Sequence, residues 1–215
     1  SMKFFGSLVE GNGWVGKYYK LDKQIFDLLS LQSINIKKYP YLLESSSRGN
    51  KKNRFSILFF KPKVFLHKTK NDKKSFLDEF DIIWRKERIE QNNFYFNNKK
   101  IPFCGGWFVY LGYELVEEIE PRLSIPKSPF KLPTAFASRI NTAIIFDHID
   151  NEIFITSDDK SSFFSDILDI EKDFSKILYE NRKLSGKIKI LTKGSEHEHQ
   201  EQVRKCIDYI FQGEI

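Results

Sequence analysis

SRINTAIIFDHIDNEIFITS, residues 138–157, decides the fold. Two runs rich in β-branched and aromatic residues flank 147–151, and Asp150-Asn151 supplies the side chains that tight turns favour. The stretch predicts an antiparallel hairpin. Upstream, RFSILFFKPKVFLH (54–67) reads as strand, turn, strand, broken at Lys61-Pro62. FCGGWFVYLGYELVEEIE (103–120) begins as a buried strand and changes period after Gly112 into a short helix. A glycine pair inside a strand, Gly105-Gly106, marks a bulge or a close backbone approach. Trp107, Phe108, Tyr110 and Tyr113 around Gly112 read either as a tight sheet–helix crossing or as a pocket wall.

The remaining segments are mostly helical. Residues 22–32 suit a short helix capped by Asp22, and 75–90 a helix capped by Ser75 with Phe76, Leu77, Phe80, Ile83 and Trp84 on one face. Residues 162–181 place Phe163, Phe164, Ile167, Leu168, Phe174, Ile177 and Leu178 on one side of another. KIKILT (187–192) reads as a strand, and Ser195-x-x-Glu198 as a capping box ahead of a last helix closed by Gly213. Strands come in pairs rather than alternating with helices. The expected class is therefore α+β, with antiparallel β-sheets in a two-layer, sandwich-like arrangement and flanking helices.

Composition narrows the function classes. The 215 residues are 40% hydrophobic and include 21 Phe, enough for a core without staples. Cys104 and Cys206 lie far apart and outside any metal-ligand spacing, which argues against a disulfide framework or zinc site and for a reducing compartment. No run approaches the length of a membrane span, and the start lacks a signal peptide's basic and apolar regions, so a cytoplasmic location is expected. The net charge of +6 is uneven: residues 48–74 hold ten Lys/Arg against Asp72 alone. This is either a patch for nucleic acid or an acidic surface, or a solvated lysine-rich face, and composition favours the solvated face.

Phosphate-loop, dinucleotide and nucleophile-elbow motifs are absent. His197 and His199 are two apart, so on a helix they cannot share a face as zinc ligands do. YPYLLESSS (39–47) runs an apolar stretch into Glu44 and three serines. It is either a strand end with local side-chain caps or a pocket with an apolar floor and a polar rim.

Four segments resemble the N-terminal region of the component I enzymes that use chorismate, namely anthranilate synthase component I and aminodeoxychorismate synthase (para-aminobenzoate synthase) component I. LLESSS (42–47) followed by RFSILFF (54–60) is similar to the family's Leu-Leu-x-Ser segment, variable loop and Arg-(Phe/Tyr)-Ser strand. GGWFVYLGYELVEEIEPRL (105–123) resembles its glycine–aromatic segment, and the Glu-Pro-Arg-Leu ending looks like the aminodeoxychorismate branch. LPTAFASRINTAIIFDH (132–148) and VRKCIDYIFQGEI (203–215) resemble the segments that follow, so the likeness runs from about residue 5 to 215.

The resemblance implies the family's N-terminal fold for residues 1–194, with 195–215 as the first helix leading into a chorismate-binding domain. The helix-closing Gly213 followed by apolar Ile215 suggests a natural protein that continues. The family aminates chorismate with ammonia from a glutaminase subunit (component II), which would be the partner of the whole enzyme. The product in the aminodeoxychorismate branch is 4-amino-4-deoxychorismate, on the route to 4-aminobenzoate and folate. The Mg²⁺ site and the catalytic groups belong to the C-terminal domain, so no catalytic residue is assigned here and this stretch alone is expected to be inactive. What the resemblance places in this region is a tryptophan pocket, at Leu43, Glu44, Ser45, Arg54 and Phe55. The alternatives are an anthranilate synthase component I and a stand-alone basic module for nucleic acid. Nucleic acid is not the expected partner.

Overall fold

The computed structural model describes residues 6–21, 27–45, 54–69, 71–87, 94–123 and 133–191. Its strands are β1 (Ser7–Gly11), β2 (Trp14–Lys20), β3 (Leu42–Leu43), β4 (Phe55–Phe60), β5 (Lys63–Lys68), β6 (Tyr95–Phe96), β7 (Lys99–Lys100), β8 (Gly106–Leu111), β9 (Ala135–Ile140), β10 (Thr142–Asp147) and β11 (Glu152–Ser157). Its helices are α1 (Leu28–Ile34), α2 (Phe76–Lys86), α3 (Val116–Ile119) and α4 (Phe163–Leu191). The chain divides into two compact units, Ser1–Glu171 and Lys172–Ile215. In the second unit, residues 172–191 are helical, with Lys176 paired to Asp173 at 3.3 Å.

The hairpin read from 138–157 forms the centre of a six-stranded antiparallel sheet, ordered β1-β2-β11-β10-β4-β3. Thr142 faces Ser157 and Asp147 faces Glu152, and Asn151 closes the turn at φ +54°, a region asparagine tolerates. A second antiparallel sheet runs β5-β9-β8. The α+β class with antiparallel sheets thus holds.

How the sheets connect is less visible in sequence. β4 and β5 are the strand–turn–strand pair expected around Lys61-Pro62, yet they lie in different sheets and do not pair. Lys61 adopts φ +43° there, and Pro62 carries no N–H for a ladder. β9 and β10 are separated by Asn141 alone, and the chain changes sheet across it. This corner is pinned by Arg139, which donates to the carbonyls of Gly106 (3.0 Å) and Ile140 (2.7 Å) and pairs with Asp158. Asn141 donates to the same carboxylate at 2.8 Å. Here the glycine pair finds its reason: Gly105 sits at φ +94°, and a Cβ there would come within 2.2 Å of the Asp158 carboxyl.

Strand alternation sorts the core. Ile145 and Phe154 meet Trp14, Ile101 and Cys104 on one face of the large sheet. Phe59, Ile140 and Ala143 pack with Tyr41, Phe103 and Phe108 where the two sheets meet. Phe76 of α2 packs with Leu115, Ala135 and Ala137, and with Phe80 and Trp107 around them, on the smaller sheet. The first turns of α4 are tied to the large sheet by Thr142 to Asp166 (3.0 Å) and Tyr19 to Glu171 (2.6 Å).

Several local expectations change. α1 is capped by Asp27, whose carboxylate accepts from the amides of Leu29 and Ser30, whereas Asp22 lies outside the described residues. Ser75 does cap α2, but Trp84 at its far end is 39% exposed. On α4 Phe163, Ile167, Phe174, Ile177 and Leu178 of the expected face are buried, with Ile170 beside them, while Phe164 and Leu168 face solvent, so the apolar stripe is narrower than it reads. KIKIL (187–191) is not a strand: α4 continues through Leu191 instead of stopping at Asn181, and Thr192 lies outside the described residues. Once a helix is nucleated each added residue gains a hydrogen bond, which overrides the alternation of Lys and Ile. The capping box at Ser195 and the helix after it lie outside the described residues, as does the boundary expected at residue 194. Among the described residues, no helix is long and apolar enough to cross a membrane.

Candidate functional site

β3 is a two-residue edge strand, with Leu43 opposite Ile57 of β4. This pairing brings the Leu-Leu-Glu-Ser and Arg-Phe-Ser segments side by side. Leu43 and Glu44 are exposed and Ser45 is half-buried. Just before β3, the Tyr41 ring stacks on Phe108 at 4.2 Å and 3°, and on Phe136 at 5.8 Å. Tyr110 extends the row against Phe136 at 5.3 Å. The Tyr41 hydroxyl lies 3.3 Å from Ser138 Oγ. All four rings are half-buried, so they form an aromatic wall that bridges the two sheets beside the β3 edge.

Ser45 meets this corner through its backbone. Its N–H donates to Ser56 Oγ at 3.0 Å, and Ser56 Oγ lies 2.7 Å from His148 Nε2. His148 is held by its own N–H, which donates to the Arg54 carbonyl at 3.0 Å, and by the Phe146 ring at 4.7 Å. A Ser–His contact of this length has the reach of a nucleophile and its base. Ser56, however, is 2% exposed, and its hydroxyl already accepts the Ser45 amide. It therefore acts as a connector between strands.

Arg54 is committed elsewhere. Its Nε and Nη2 clamp the two oxygens of Asp147 at 2.9 and 2.8 Å, and Nη2 also reaches Asp150 at 2.6 Å. The Phe55 ring lies 5.3 Å from the guanidinium carbon. The Lys99 ammonium sits among Asp147 (2.7 Å), Asp150 (2.6 Å) and Glu152 (2.5 Å), and Tyr18 donates to Glu152 at 2.8 Å. Lys99 reaches this position because Asn97 and Asn98 both take positive φ, 49° and 58°, in the tight turn between β6 and β7.

The cluster's electrostatics follow from this geometry. Burial would raise the Asp147 carboxyl, but the hydrogen bonds from Arg54 and Lys99 outweigh it and hold it below the usual carboxylate range. Desolvation opposes the charge on Lys99, and bonds to three carboxylates more than restore it, leaving the ammonium harder to deprotonate than usual. Burial, then the bond to Glu152, pushes the Tyr18 phenol up to about 12. Asp147, Asp150 and Glu152 offer oxygens within 4.8 Å of one another, a spacing that suits a cation. The Lys99 ammonium is the cation they hold, so a metal would have to displace it.

Of the five residues singled out in sequence, Leu43, Ser45 and Phe55 come together at one sheet edge, with Glu44 beside them and Arg54 drawn into the ion-pair cluster. Sequence reading passed over Ser56, Lys99 and Asp147. A charged residue at the end of the apolar run TAIIFD was the one signal available. The basic stretch is largely neutralised where it is described: Arg54 pairs with Asp147, Lys61 with Asp169 (2.8 Å), Lys68 with Glu118 (3.0 Å) and Lys74 with Glu79 (3.5 Å). Arg48, Lys51, Lys52 and Lys70 lie outside the described residues. A separate cleft of about 280 Å³ is lined by Lys68, Asp72, Lys73, Glu114, Glu118 and Thr134, and includes none of the five.

Fold and corner together define, among the described residues, an α+β protein with two larger antiparallel sheets and the two-stranded β6-β7 ribbon, the larger two meeting beside an aromatic wall and a polar strand edge. The sequence matches no family model and no curated protein.

Proposed function

We propose that this chain supplies the non-catalytic N-terminal part of a chorismate-aminating component I enzyme, of the aminodeoxychorismate type, and that its β3 edge takes an aromatic amino acid. The observation that carries this reading is the pairing of Leu43 with Ile57 beside the stacked rings of Tyr41 and Phe108. An indole or phenyl side chain gains from a flat aromatic wall, and an amino acid's charged ends need polar groups converging at its rim. Glu44 offers a carboxylate for an ammonium group, and Ser45 a hydroxyl. In this reading Arg54 orders the strand through Asp147 rather than meeting the ligand.

Two experiments test the proposal. Isothermal titration of the chain with L-tryptophan should give saturable binding that Ser45→Trp abolishes by filling the edge. Chorismate with ammonium and Mg²⁺ should give no turnover with this chain alone, the chorismate site and Mg²⁺ belonging to the remainder of the enzyme. Turnover by the chain alone would sink the non-catalytic assignment, and absence of tryptophan binding would sink the pocket.

A further inference from the structure

We infer that His148 is the positioning residue of the Ser45 end of β3, acting through the Ser56 hydroxyl, so that the protonation state of one strand turn is transmitted to the edge of the sheet. The use of this relay in ligand binding rests on the amino-acid pocket proposed above, whereas the relay itself does not.

A serine hydroxyl has one hydrogen to donate and two lone pairs. One lone pair of Ser56 accepts the Ser45 N–H at 3.0 Å. Among the described residues, the partner for its hydrogen is His148 Nε2, at 2.7 Å. Nε2 must then be the acceptor, which assigns the neutral ring its proton on Nδ1. Ser56 is buried, so water cannot readily take over either bond.

Protonation makes Nε2 a donor. The Ser56 hydrogen must turn away, and the hydroxyl then accepts from two donors, or the exposed imidazole swings into solvent. Either outcome weakens or redirects the bond from the Ser45 amide to Ser56. The charged groups at this corner are Arg54 on β4, Lys99 on β7, Asp147, Asp150 and Glu152 around the β10–β11 turn, and Glu44 beyond β3. Asp147 and Asp150 are engaged by Arg54 and Lys99, which leaves the imidazole to Ser56.

The test is a pH series of amide and imidazole NMR spectra on the full ¹⁵N-labelled chain, without ligand. The Ser45 amide should shift with the same midpoint as the His148 ring. In His148→Gln, where an amide oxygen keeps the acceptor without a titrating proton, that shift should be lost while the remaining spectrum stays folded. In Ser56→Ala, His148 should still titrate and Ser45 should no longer follow. A Ser45 amide that ignores pH, or one that still follows His148 in Ser56→Ala, overturns the inference. A second arm titrates L-tryptophan on both sides of the midpoint. Binding that differs across it in the native chain and not in His148→Gln supports the regulatory use. Binding that is equal on both sides in the native chain overturns that use. No binding, with the Ser45 shift intact, overturns the pocket and leaves the relay supported.

Discussion

Replacing Asp147 by Asn should destabilise the protein more than any other single charge removal at the ion-pair corner. The side chain is fully buried and accepts five hydrogen bonds: two from Arg54, one from Lys99, and one each from the amides of Ile149 and Asp150. Asn keeps one oxygen for Arg54 Nε and the turn amides. It turns an NH₂ toward Arg54 Nη2 and the Lys99 ammonium, so donors face donors and two cations lose their central counter-charge. Breaking a buried pair in this way costs about 3–5 kcal/mol. That is a large share of the roughly 5–15 kcal/mol by which domains of ordinary size are stable. Urea unfolding followed by tryptophan fluorescence would show it as a lower midpoint at unchanged slope.

The same variant tests the pH dependence. Asp147 is held below its unfolded range, so its contribution is fully present above about pH 4 and is lost as pH falls through the folded value. The native chain should weaken across that acid window, and Asp147→Asn should flatten the corresponding part of the curve. A loss of under about 1 kcal/mol, the worth of an exposed pair, would mean that Asp147 is not a buried counter-charge to Arg54 and Lys99.

Other outcomes follow from the same geometry. Gly105→Ala forces a side chain into φ +94° and against Asp158, so it should cost at least the roughly 1–3 kcal/mol of a strained backbone and loosen the Arg139 corner. Thermal unfolding would read it, and an unchanged midpoint would contradict the close approach. Ser75→Ala removes the α2 cap to Asp78 and should cost about 1 kcal/mol in urea unfolding, which a neutral result would dispute. Cys104 is fully buried and its thiol is pushed above its ordinary range by desolvation. In a Cys206→Ser background it should therefore react with an aromatic disulfide reagent only as fast as the chain opens, and rapid labelling in the native state would count against the packing.

The hairpin at 138–157 was legible because two runs rich in β-branched and aromatic residues flank strong turn chemistry. Ser75 was legible as a cap for a similar reason, since the signal is local. The division into two sheets was not, because Lys61-Pro62 and Asn141 look like ordinary turn residues, and nothing local says that the next strand joins a different sheet. The continuation of α4 past Asn181 was hidden by the alternating KIKI. At the candidate site, Leu43 and Ser45 drew notice through their own neighbours. Arg54 could not be assigned its role, because Asp147, Asp150 and Lys99 are remote in the chain and only folding brings them together.

The passage at Asn141 also bears on how this protein can change over evolutionary time. With a single residue between β9 and β10, the crossing acts as the spine of a book whose two pages are the sheets. One inserted residue would invert every side chain of either β9 or β10 relative to its partners, because strand faces alternate with a period of two. The Asn97-Asn98 turn does not set the register of either sheet, but it aims Lys99 at Asp147, so its length is held by the ion-pair cluster instead. Lineages carrying this fold should therefore keep the spine one residue long.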